Sequence, residues 1–238
     1  MRILIIDQCS NSKKSSDRTE PLDKDTIDSK PREALVNQDG TESYRAEELY
    51  EGRQQQQITD AKQLLENAGD EVDRVFISAG FGIVDSSDTL PLYDVTFADM
   101  SKKEINERVE ELSIHQDARD LIEGSDYDII FFALGSDYYE SARIDELLSD
   151  ISEDTFLVVF NREELEEEYE NAVSIPARTS QAKEYGTIVV ALKGKYLHNF
   201  GSNRASGKEV RSIDQIEAYC REEPNSQVGL EDYSSNNR

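Results

Sequence analysis

Residues 75–84 read Val-Phe-Ile-Ser-Ala-Gly-Phe-Gly-Ile-Val, an apolar run that breaks off into Ser-Ala-Gly-x-Gly. The apolar residues between Val72 and Ser78 predict a buried strand. Glycine lets a main chain turn with positive φ or come close to a ligand. A glycine-bearing loop at the end of a buried strand is a common binding position in α/β proteins, so this stretch predicts both a fold class and the place of a site.

Other apolar runs predict the remaining strands. They lie at Arg2–Asp7, Ile129–Leu134, Phe156–Phe160 and Ile188–Leu192. Between them, apolar residues at helical spacing predict amphipathic helices over residues 58–68, 105–122, 139–151, 163–169 and 213–219. Apolar strands that alternate with amphipathic helices are typical of an α/β fold, with a mainly parallel sheet and helices on both faces.

The predicted organisation is a single α/β domain over residues 1–222. A polar insertion at about residues 11–43, rich in Ser, Asp, Lys and Pro, predicts a long and partly mobile loop. Residues 193–195 read Lys-Gly-Lys, which predicts a turn into an edge strand over Tyr196–Phe200. Residues 223–238 predict a flexible tail.

The charge of the chain is extreme and is spread from end to end. There are 51 acidic and 26 basic residues, which gives a net charge of −25. At molar salt the Debye length falls to about 3 Å, so the self-repulsion of such a chain is largely screened. We therefore expect an acidic, halophilic surface suited to a haloarchaeal cytosol. A dedicated acidic surface for a partner is the alternative interpretation.

Several classes of protein are disfavoured by composition. Cys9 and Cys220 stand at opposite ends of the chain, and His115 and His198 are the only histidines, so we expect no disulfide framework and no metal centre. No apolar run approaches the roughly 20 residues that span a bilayer. We expect a cytoplasmic protein without a membrane partner. No motif in it specifies a cofactor or an oligomeric state.

Small or polar residues follow four of the predicted strands. They are Cys9-Ser10, Ser78 to Gly82, Gly135-Ser136 and Asn161-Arg162. Because the carboxyl ends of parallel strands meet at one edge of a sheet, we expect these loops to line a shared cavity. The hydroxyls of Ser10, Ser78 and Ser136 suit hydrogen bonds to a phosphate or a base edge. None of these serines stands in a Gly-x-Ser-x-Gly motif, which disfavours a serine hydrolase.

Lys13 and Cys9 are the candidate catalytic residues. Lys13 could act as a nucleophile or base if burial or the neighbouring Lys14 lowered its pKa, or it could hold a phosphate as a charged side chain. Cys9 is either a thiolate nucleophile or a small buried residue at a strand end.

The candidate binding residues include aromatic side chains. Tyr138, Tyr139 and Tyr93 could stack on a base, whereas Tyr139 also suits the core, and we expect Tyr93 to be the more exposed because of the turn at Pro91. Asp94 could orient a sugar hydroxyl or cap a loop. The basic segment from Arg204 to Arg211 could contact phosphates or pair with Asp and Glu.

Several of these segments resemble motifs of a known family. Ser78–Val84 with Pro91–Asp94 resembles the Ser-Ala/Gly-x-Tyr-Gly-Leu-Leu…Pro-Tyr signature of the YaaA-like superfamily and of a related uncharacterised domain family, with Phe81 in place of the tyrosine. Ala133–Tyr139 resembles the Leu-Ala-Ser-x-x-Tyr-Phe segment of YaaA proteins. In the related domain family, Cys9–Lys14 resembles the Cys-Ser…Lys motif and Leu49–Gly52 the Leu-Tyr-x-Gly motif.

The resemblance implies a function in nucleic-acid chemistry. YaaA proteins are linked to peroxide stress and nucleic-acid binding, and the wider set to nucleobase modification. Lys13 is further implied by a Cys-x-x-x-Lys spacing similar to that of archaeosine synthase, in which the lysine is implicated in attack on a deazaguanine nitrile. No proline precedes Cys9, however, and no Pro-Tyr pair follows Lys13. The resemblance adds Tyr50 to the candidate substrate-binding residues, which already include Gly80 and Gly82 of the glycine-bearing loop.

Three functions therefore stand at this point. The first is an enzyme that modifies or repairs a nucleobase, in a nucleoside or in nucleic acid. The second is a non-catalytic nucleic-acid-binding or stress-response protein. The third is a flavodoxin-like nucleoside ribosyltransferase, in which a carboxylate such as Asp94 or Glu140 attacks a sugar carbon.

Overall fold

The computed structural model describes residues 1–123 and 126–223. Eight strands lie in this part of the chain: β1 (Arg2–Gln8), β2 (Ser43–Arg45), β3 (Glu71–Ser78), β4 (Gly82–Asp85), β5 (Thr89–Pro91), β6 (Ile129–Ala133), β7 (Phe156–Phe160) and β8 (Ala172–Ile175). Six of them form one sheet in the order β4-β3-β1-β6-β7-β8, and β2 and β5 form a separate antiparallel pair.

The main sheet is mostly parallel, as the sequence predicts. β3, β1, β6, β7 and β8 run parallel to one another, and only β4, at one edge, runs antiparallel to its neighbour β3. In their own chain order the five parallel strands have the arrangement 2-1-3-4-5, which is one of the common doubly wound orders. The first strand of the chain therefore lies inside the sheet, between β3 and β6.

Twelve helices accompany these strands in the described residues. They are α1 (Lys24–Asp28), α2 (Arg32–Val36), α3 (Ala46–Leu49), α4 (Arg53–Asn67), α5 (Lys102–Glu111), α6 (Ile114–Glu123), α7 (Ser136–Ala142), α8 (Ile144–Leu148), α9 (Glu163–Glu168), α10 (Thr179–Glu184), α11 (Val189–Ala205) and α12 (Ile213–Arg221), with a short 3₁₀ helix at Phe97–Asp99.

Both faces of the sheet are covered. Side chains alternate between the two faces of a strand, and β1 shows this directly. Ile3 and Ile5 pack with apolar residues of α4, α11 and α12. Leu4 and Ile6 pack with apolar residues of α5 to α8. All four isoleucine and leucine side chains are completely buried, which explains why the strand is apolar throughout.

The predicted polar insertion is folded along part of its length. It contains α1 and α2, and each of these helices buries one apolar side chain, Ile27 or Leu35. Asp23 caps α1 by accepting a hydrogen bond from the backbone nitrogen of Thr26 at 2.8 Å. Two buried apolar side chains and a capped helix fasten the segment to the rest of the domain.

The predicted strand at Ile188–Leu192 and the hairpin strand at Tyr196–Phe200 are wrong. Both lie at or within the single 17-residue helix α11. Gly194, read as a turn residue, faces α4, where an added Cβ would lie 2.7 Å from the carbonyl oxygen of Gln54. The glycine serves close helix packing and not a turn. The last strand of the sheet is instead β8, at Ala172–Ile175.

The other predicted elements are confirmed with small changes. The region of residues 105–122 forms two helices, α5 and α6, and the region of residues 139–151 forms α7 and α8, which are separated by Arg143 in the left-handed conformation. Most of the predicted tail, from residue 224 onward, lies outside the described residues. None of the described helices combines the length and the apolar character that crossing a membrane requires.

Candidate functional site

A cleft of about 520 Å³ opens at the carboxyl ends of β1 and β6. The chain leaves β1 to form β3 on one side of it and later reaches β6 on the other side. In open α/β sheets, ligands bind where the strand order reverses in this way. The lining residues are Gln8–Ser12, Gly52–Gln55, Thr96–Ala98, Gly135–Tyr138, Ile188 and Val190.

Five of the residues predicted for the site line this cleft. They are Cys9, Ser10, Gly135, Ser136 and Tyr138. The loop after β1 supplies the first two, and the loop after β6, which leads into α7, supplies the other three. The backbone nitrogen of Gly135 donates a hydrogen bond of 2.6 Å to Oε1 of Gln8, which fastens the two loops to each other.

Cys9 and Tyr138 form a buried pair in the cleft wall. The Cys9 Sγ lies 3.1 Å from the Tyr138 hydroxyl, and the two residues are 2% and 8% exposed. Burial raises the pKa of Tyr138, so the phenol stays protonated and remains able to share its proton with the sulfur. The backbone nitrogen of Cys9 donates to the carbonyl oxygen of Ile77 at 3.0 Å, which fixes the cysteine at the end of β1.

Two glutamines at the start of α4 are anchored by a buried ion pair. Asp7 and Arg74 are both completely buried, and an Asp7 oxygen lies 2.7 Å from a guanidinium nitrogen of Arg74. Nε2 of Gln54 donates to Asp7 at 2.7 Å and to the carbonyl oxygen of Ala133 at 2.8 Å. Nε2 of Gln55 donates to the carbonyl oxygen of Gln8 at 3.0 Å. These bonds fix the first turn of α4 between β1 and β6, beside the cleft.

Gly52 allows α4 to begin this close to the loop after β1. It stands at the N-cap of the helix, and an added Cβ would lie 2.1 Å from Oε1 of Gln55 and 2.5 Å from the Ser10 hydroxyl. A larger residue would displace both side chains. The Leu-Tyr-x-Gly segment identified in the sequence thus has a steric reason to end in glycine.

Ser78, Tyr93 and Tyr50 lie away from the cleft surface, in a buried hydrogen-bonded chain. The Tyr93 hydroxyl lies 2.8 Å from that of Ser78 and 2.7 Å from that of Tyr50. Each of the three residues is at most 1% exposed, so the expected exposure of Tyr93 is wrong. Burial raises the pKa of both tyrosines, which keeps the chain protonated.

The glycines of the loop after β3 approach other parts of the protein. An added Cβ on Gly80 would lie 2.7 Å from the Tyr93 ring, and Gly82, with φ of +73°, approaches the carbonyl oxygen of Leu112. The Ser78 hydroxyl accepts hydrogen bonds from the backbone nitrogens of Gly80 and Phe81. This loop is a tight turn into the antiparallel strand β4, so it does not join the loops at the cleft.

Lys13 is not among the described residues that line the cleft. Its Nζ lies 4.7 Å from the centre of the Tyr93 ring and 3.4 Å from the carbonyl oxygen of Val95. Burial lowers its pKa, and the neighbouring Cys9, Asp94 and Asp99 oppose that shift. Asp94 is exposed and also lies outside the cleft lining.

Several residues of the cleft carry no sequence signal for a site. Gln54 and Gln55 are polar residues that precede the helix predicted from residue 58, and nothing in their pattern indicates that they are buried. Ile188 and Val190 are 47% and 69% exposed, so an apolar pair that reads as a strand borders the cleft instead. Arg53 and Asp137 are the one basic and the one acidic side chain among the described lining residues.

The basic segment near the carboxyl end pairs with carboxylates. Arg204 holds Asp70 with two hydrogen bonds of 3.0 and 2.8 Å. Lys208 contacts Glu222, and Arg211 contacts Glu209. These cations are engaged within the protein, in agreement with the interpretation of the segment as a charge-pairing patch.

Within the described residues, no cluster of three or more histidine, cysteine or carboxylate side chains is placed to hold a metal ion. No protein-family model, curated protein or solved structure matches the chain.

Proposed function

We propose that the protein binds a nucleobase, as part of a nucleoside or of a nucleic acid, in the cleft between the β1 and β6 loops, and that it modifies this base as a YaaA-like enzyme. The observation that carries the proposal is the place of the cleft. It lies at the reversal of strand order, where doubly wound sheets bind their ligands. Five residues chosen from the sequence line it.

The chemistry of the cleft suits a heterocyclic base. Small-molecule sites combine an apolar surface with a few placed polar groups. Here the exposed apolar surface comes from Ile188 and Val190, and the polar groups include the side chains of Asn11 and Ser136. Hydroxyl and amide groups can both donate and accept hydrogen bonds, as recognition of a base edge requires. The volume of about 520 Å³ falls within the range of roughly 300–1,000 Å³ that is usual for small-molecule sites.

The exposed apolar pair at the cleft is consistent with a ligand that covers it. Ile188 and Val190 are exposed on a chain in which nearly every other large apolar side chain of the described residues is at least partly buried. At high salt, binding driven by phosphate charge weakens steeply. Apolar contact with the face of a base does not depend on charge and would supply affinity under those conditions.

A ribosyltransferase is the second candidate, and Asp137 favours it. Glu140, named from the sequence as a possible nucleophile, instead contacts Lys102 at 3.3 Å, and Asp94 lies outside the cleft. Asp137 is exposed and lines the cleft. A carboxylate in that position could attack a sugar carbon while the base occupies the apolar side.

The test measures binding and turnover of nucleosides, free bases and transfer RNA in roughly 2–3 M KCl, where surface repulsion is screened. We expect Val190→Asp to weaken binding at least about tenfold, because it places a charge where a base would pack. Ser180→Asp, on exposed α10, is the matched control and should bind normally. Equal binding by wild-type protein and Val190→Asp would contradict the proposal.

Turnover by the variants separates the candidate reactions. Loss of base modification in Lys13→Ala would support the lysine-dependent chemistry that the family resemblance implies. Loss in Asp137→Asn, with normal activity in Glu140→Gln on the same helix, would support the ribosyltransferase. Binding without turnover in wild-type protein would favour a non-catalytic binding protein.

A further inference from the structure

A second, smaller cavity of about 210 Å³ adjoins the cleft at the carboxyl ends of β6, β7 and β8. The two cavities share part of their lining, including Gln8, Gln54 and Ser136. A ligand in the cleft can therefore extend into the smaller cavity without leaving the protein surface. Residues that line only the smaller cavity include Arg162 and Lys193.

The charge of this cavity is opposite to that of the protein. Its described lining contains two cations, Arg162 and Lys193, and no carboxylate, in a chain with 51 acidic and 26 basic residues. Most basic side chains of the described residues have a carboxylate neighbour, and Arg162 has a long contact with Glu164 at 3.5 Å, whereas Lys193 has no ion pair among these residues. A cavity whose described lining has two cations and no carboxylate favours the binding of an anion.

Lys193 makes neither an ion pair nor a hydrogen bond within the described part of the chain. It stands in the second turn of α11 and is only partly exposed. The nearest acidic influence comes from Asp7, whose carboxylate is already taken by Arg74 at 2.7 Å. Burying a cation without a partner is costly, and a bound anion would remove that cost.

Arg162, the second cation of this lining, is held in place by its own contacts. Its guanidinium lies 4.8 Å from the centre of the Tyr139 ring, and its backbone nitrogen donates to the Ser174 hydroxyl at 2.8 Å. Its contact with the exposed Glu164, at 3.5 Å, is long. Asn161, just before it, has φ of +57° and is fixed by two hydrogen bonds to Ala177. The loop after β7 is thus held by hydrogen bonds to Ser174 and Ala177, and Arg162 offers a planar donor suited to phosphate oxygens.

We propose that the smaller cavity is a phosphate subsite held by Lys193 and Arg162, so that the ligand of the protein is a phosphorylated nucleoside. That the ligand contains a nucleoside rests on the proposed function, whereas that it carries a phosphate is inferred from the smaller cavity alone. The partly buried cations are screened by salt much less than surface charges are, so the subsite works at molar KCl.

The test titrates wild-type protein in molar KCl with inorganic phosphate, a nucleoside and the matching nucleoside 5′-monophosphate. We expect the monophosphate to bind at least about tenfold more tightly than the nucleoside, as charge-assisted hydrogen bonds to phosphate allow. Lys193→Met and Arg162→Gln should each remove most of this advantage and leave nucleoside affinity unchanged. Lys195→Met is the matched control, because Lys195 is two residues along the same helix and pairs with Glu223 at 2.8 Å.

The outcomes distinguish this inference from the proposed function. Equal affinity for nucleoside and monophosphate, or an equal loss in Lys195→Met and Lys193→Met, would overturn the phosphate subsite while base binding stood. Binding of inorganic phosphate that depends on Lys193, without any binding of nucleosides, would support the subsite and refute the base site. A 5′-phosphorylated oligonucleotide is titrated in the same way. If it binds more tightly than the mononucleotide does, the phosphate comes from the end of a nucleic acid.

Discussion

Lys193 is a cation that folding removes from water without giving it a carboxylate neighbour. Burial lowers its pKa from 10.5 to about 8, and the more distant Asp7 opposes the shift. The unfolded chain therefore binds this proton more tightly than the folded protein does. It follows that the folded state is destabilised wherever the amine is charged, and that the destabilisation is relieved as the pH rises from about 8 toward 10.5.

We expect this residue to be visible in the pH dependence of stability without any ligand. The free energy of unfolding of wild-type protein, measured by denaturant titration, should rise relative to that of Lys193→Met across this pH window. The relative gain should reach roughly 1–3 kcal/mol, since one pKa unit corresponds to about 1.4 kcal/mol and solvent screening reduces the effect. The buried tyrosines titrate in both proteins and cancel in the difference. A constant difference between the two proteins would show that Lys193 is not desolvated.

At the scale of elements, α4 and α11 pack closely against each other. Gly194 and Gly201 are seven residues apart on α11 and face α4. An added Cβ would lie 2.7 Å from the carbonyl oxygen of Gln54 at the first glycine and 2.9 Å from that of Ala61 at the second. Since the obstacle is backbone in both cases, neither helix can yield without moving as a whole. The position of the α4 start, and with it one wall of the cleft, depends on these glycines.

Gly201→Ala should destabilise the protein by roughly 1–3 kcal/mol, the usual cost of overpacking a core. The direction of the change in unfolding free energy tests the close packing, because a glycine-to-alanine change inside a helix normally stabilises the helix by about 1 kcal/mol. Ser202→Ala, the adjacent position, is the control and should change the unfolding free energy by only a few tenths of a kcal/mol. Denaturant unfolding of the three proteins measures the effect, and a stabilised Gly201→Ala would refute the close packing.

The same helix shows where sequence periodicity fails. The residues Ile188, Val189 and Val190 read as a buried strand, yet all three are exposed at the start of α11. An apolar run normally predicts burial in the core, but this run lies at the surface and borders the cleft. The start of α4 gives the opposite case, because Gln54 and Gln55 are buried through hydrogen bonds to groups far away in the chain. Local pattern carries no information about such partners.

The predicted meeting of loops at the sheet edge holds for three of the four segments. The loops after β1 and β6 line the cleft, and Asn161 and Arg162 after β7 line the adjoining cavity. That the carboxyl ends of parallel strands meet at one edge of a sheet was enough to predict this, without any knowledge of side-chain contacts. It failed for Ser78–Gly82, because β4 runs antiparallel and the chain turns back at once. The Ile83-Val84 pair after Gly82 was the available signal for that strand.

At the scale of the whole molecule, the net charge of −25 acts on every folded contact. Repulsion between carboxylates opposes compaction and is screened by salt. We expect the melting temperature at neutral pH to rise on the order of ten degrees between dilute buffer and molar KCl. Near the isoelectric pH of about 4.4 the salt dependence should be much smaller, because the net charge vanishes there. Equal salt dependence at the two pH values would exclude charge repulsion as the cause.

The inner position of β1 has a consequence for synthesis on the ribosome. This strand is made before both of its neighbours in the sheet, which begin at residues 71 and 129. Until both have emerged, the apolar segment from Ile3 to Ile6 has open edges of the kind that recruit strands from other chains. The acidic residues made in the meantime repel neighbouring nascent chains only as far as salt leaves their charge unscreened, which is about 3 Å at molar ionic strength. The electrostatic protection of this exposed strand edge therefore weakens as the salt concentration rises, together with the repulsion inside the finished domain.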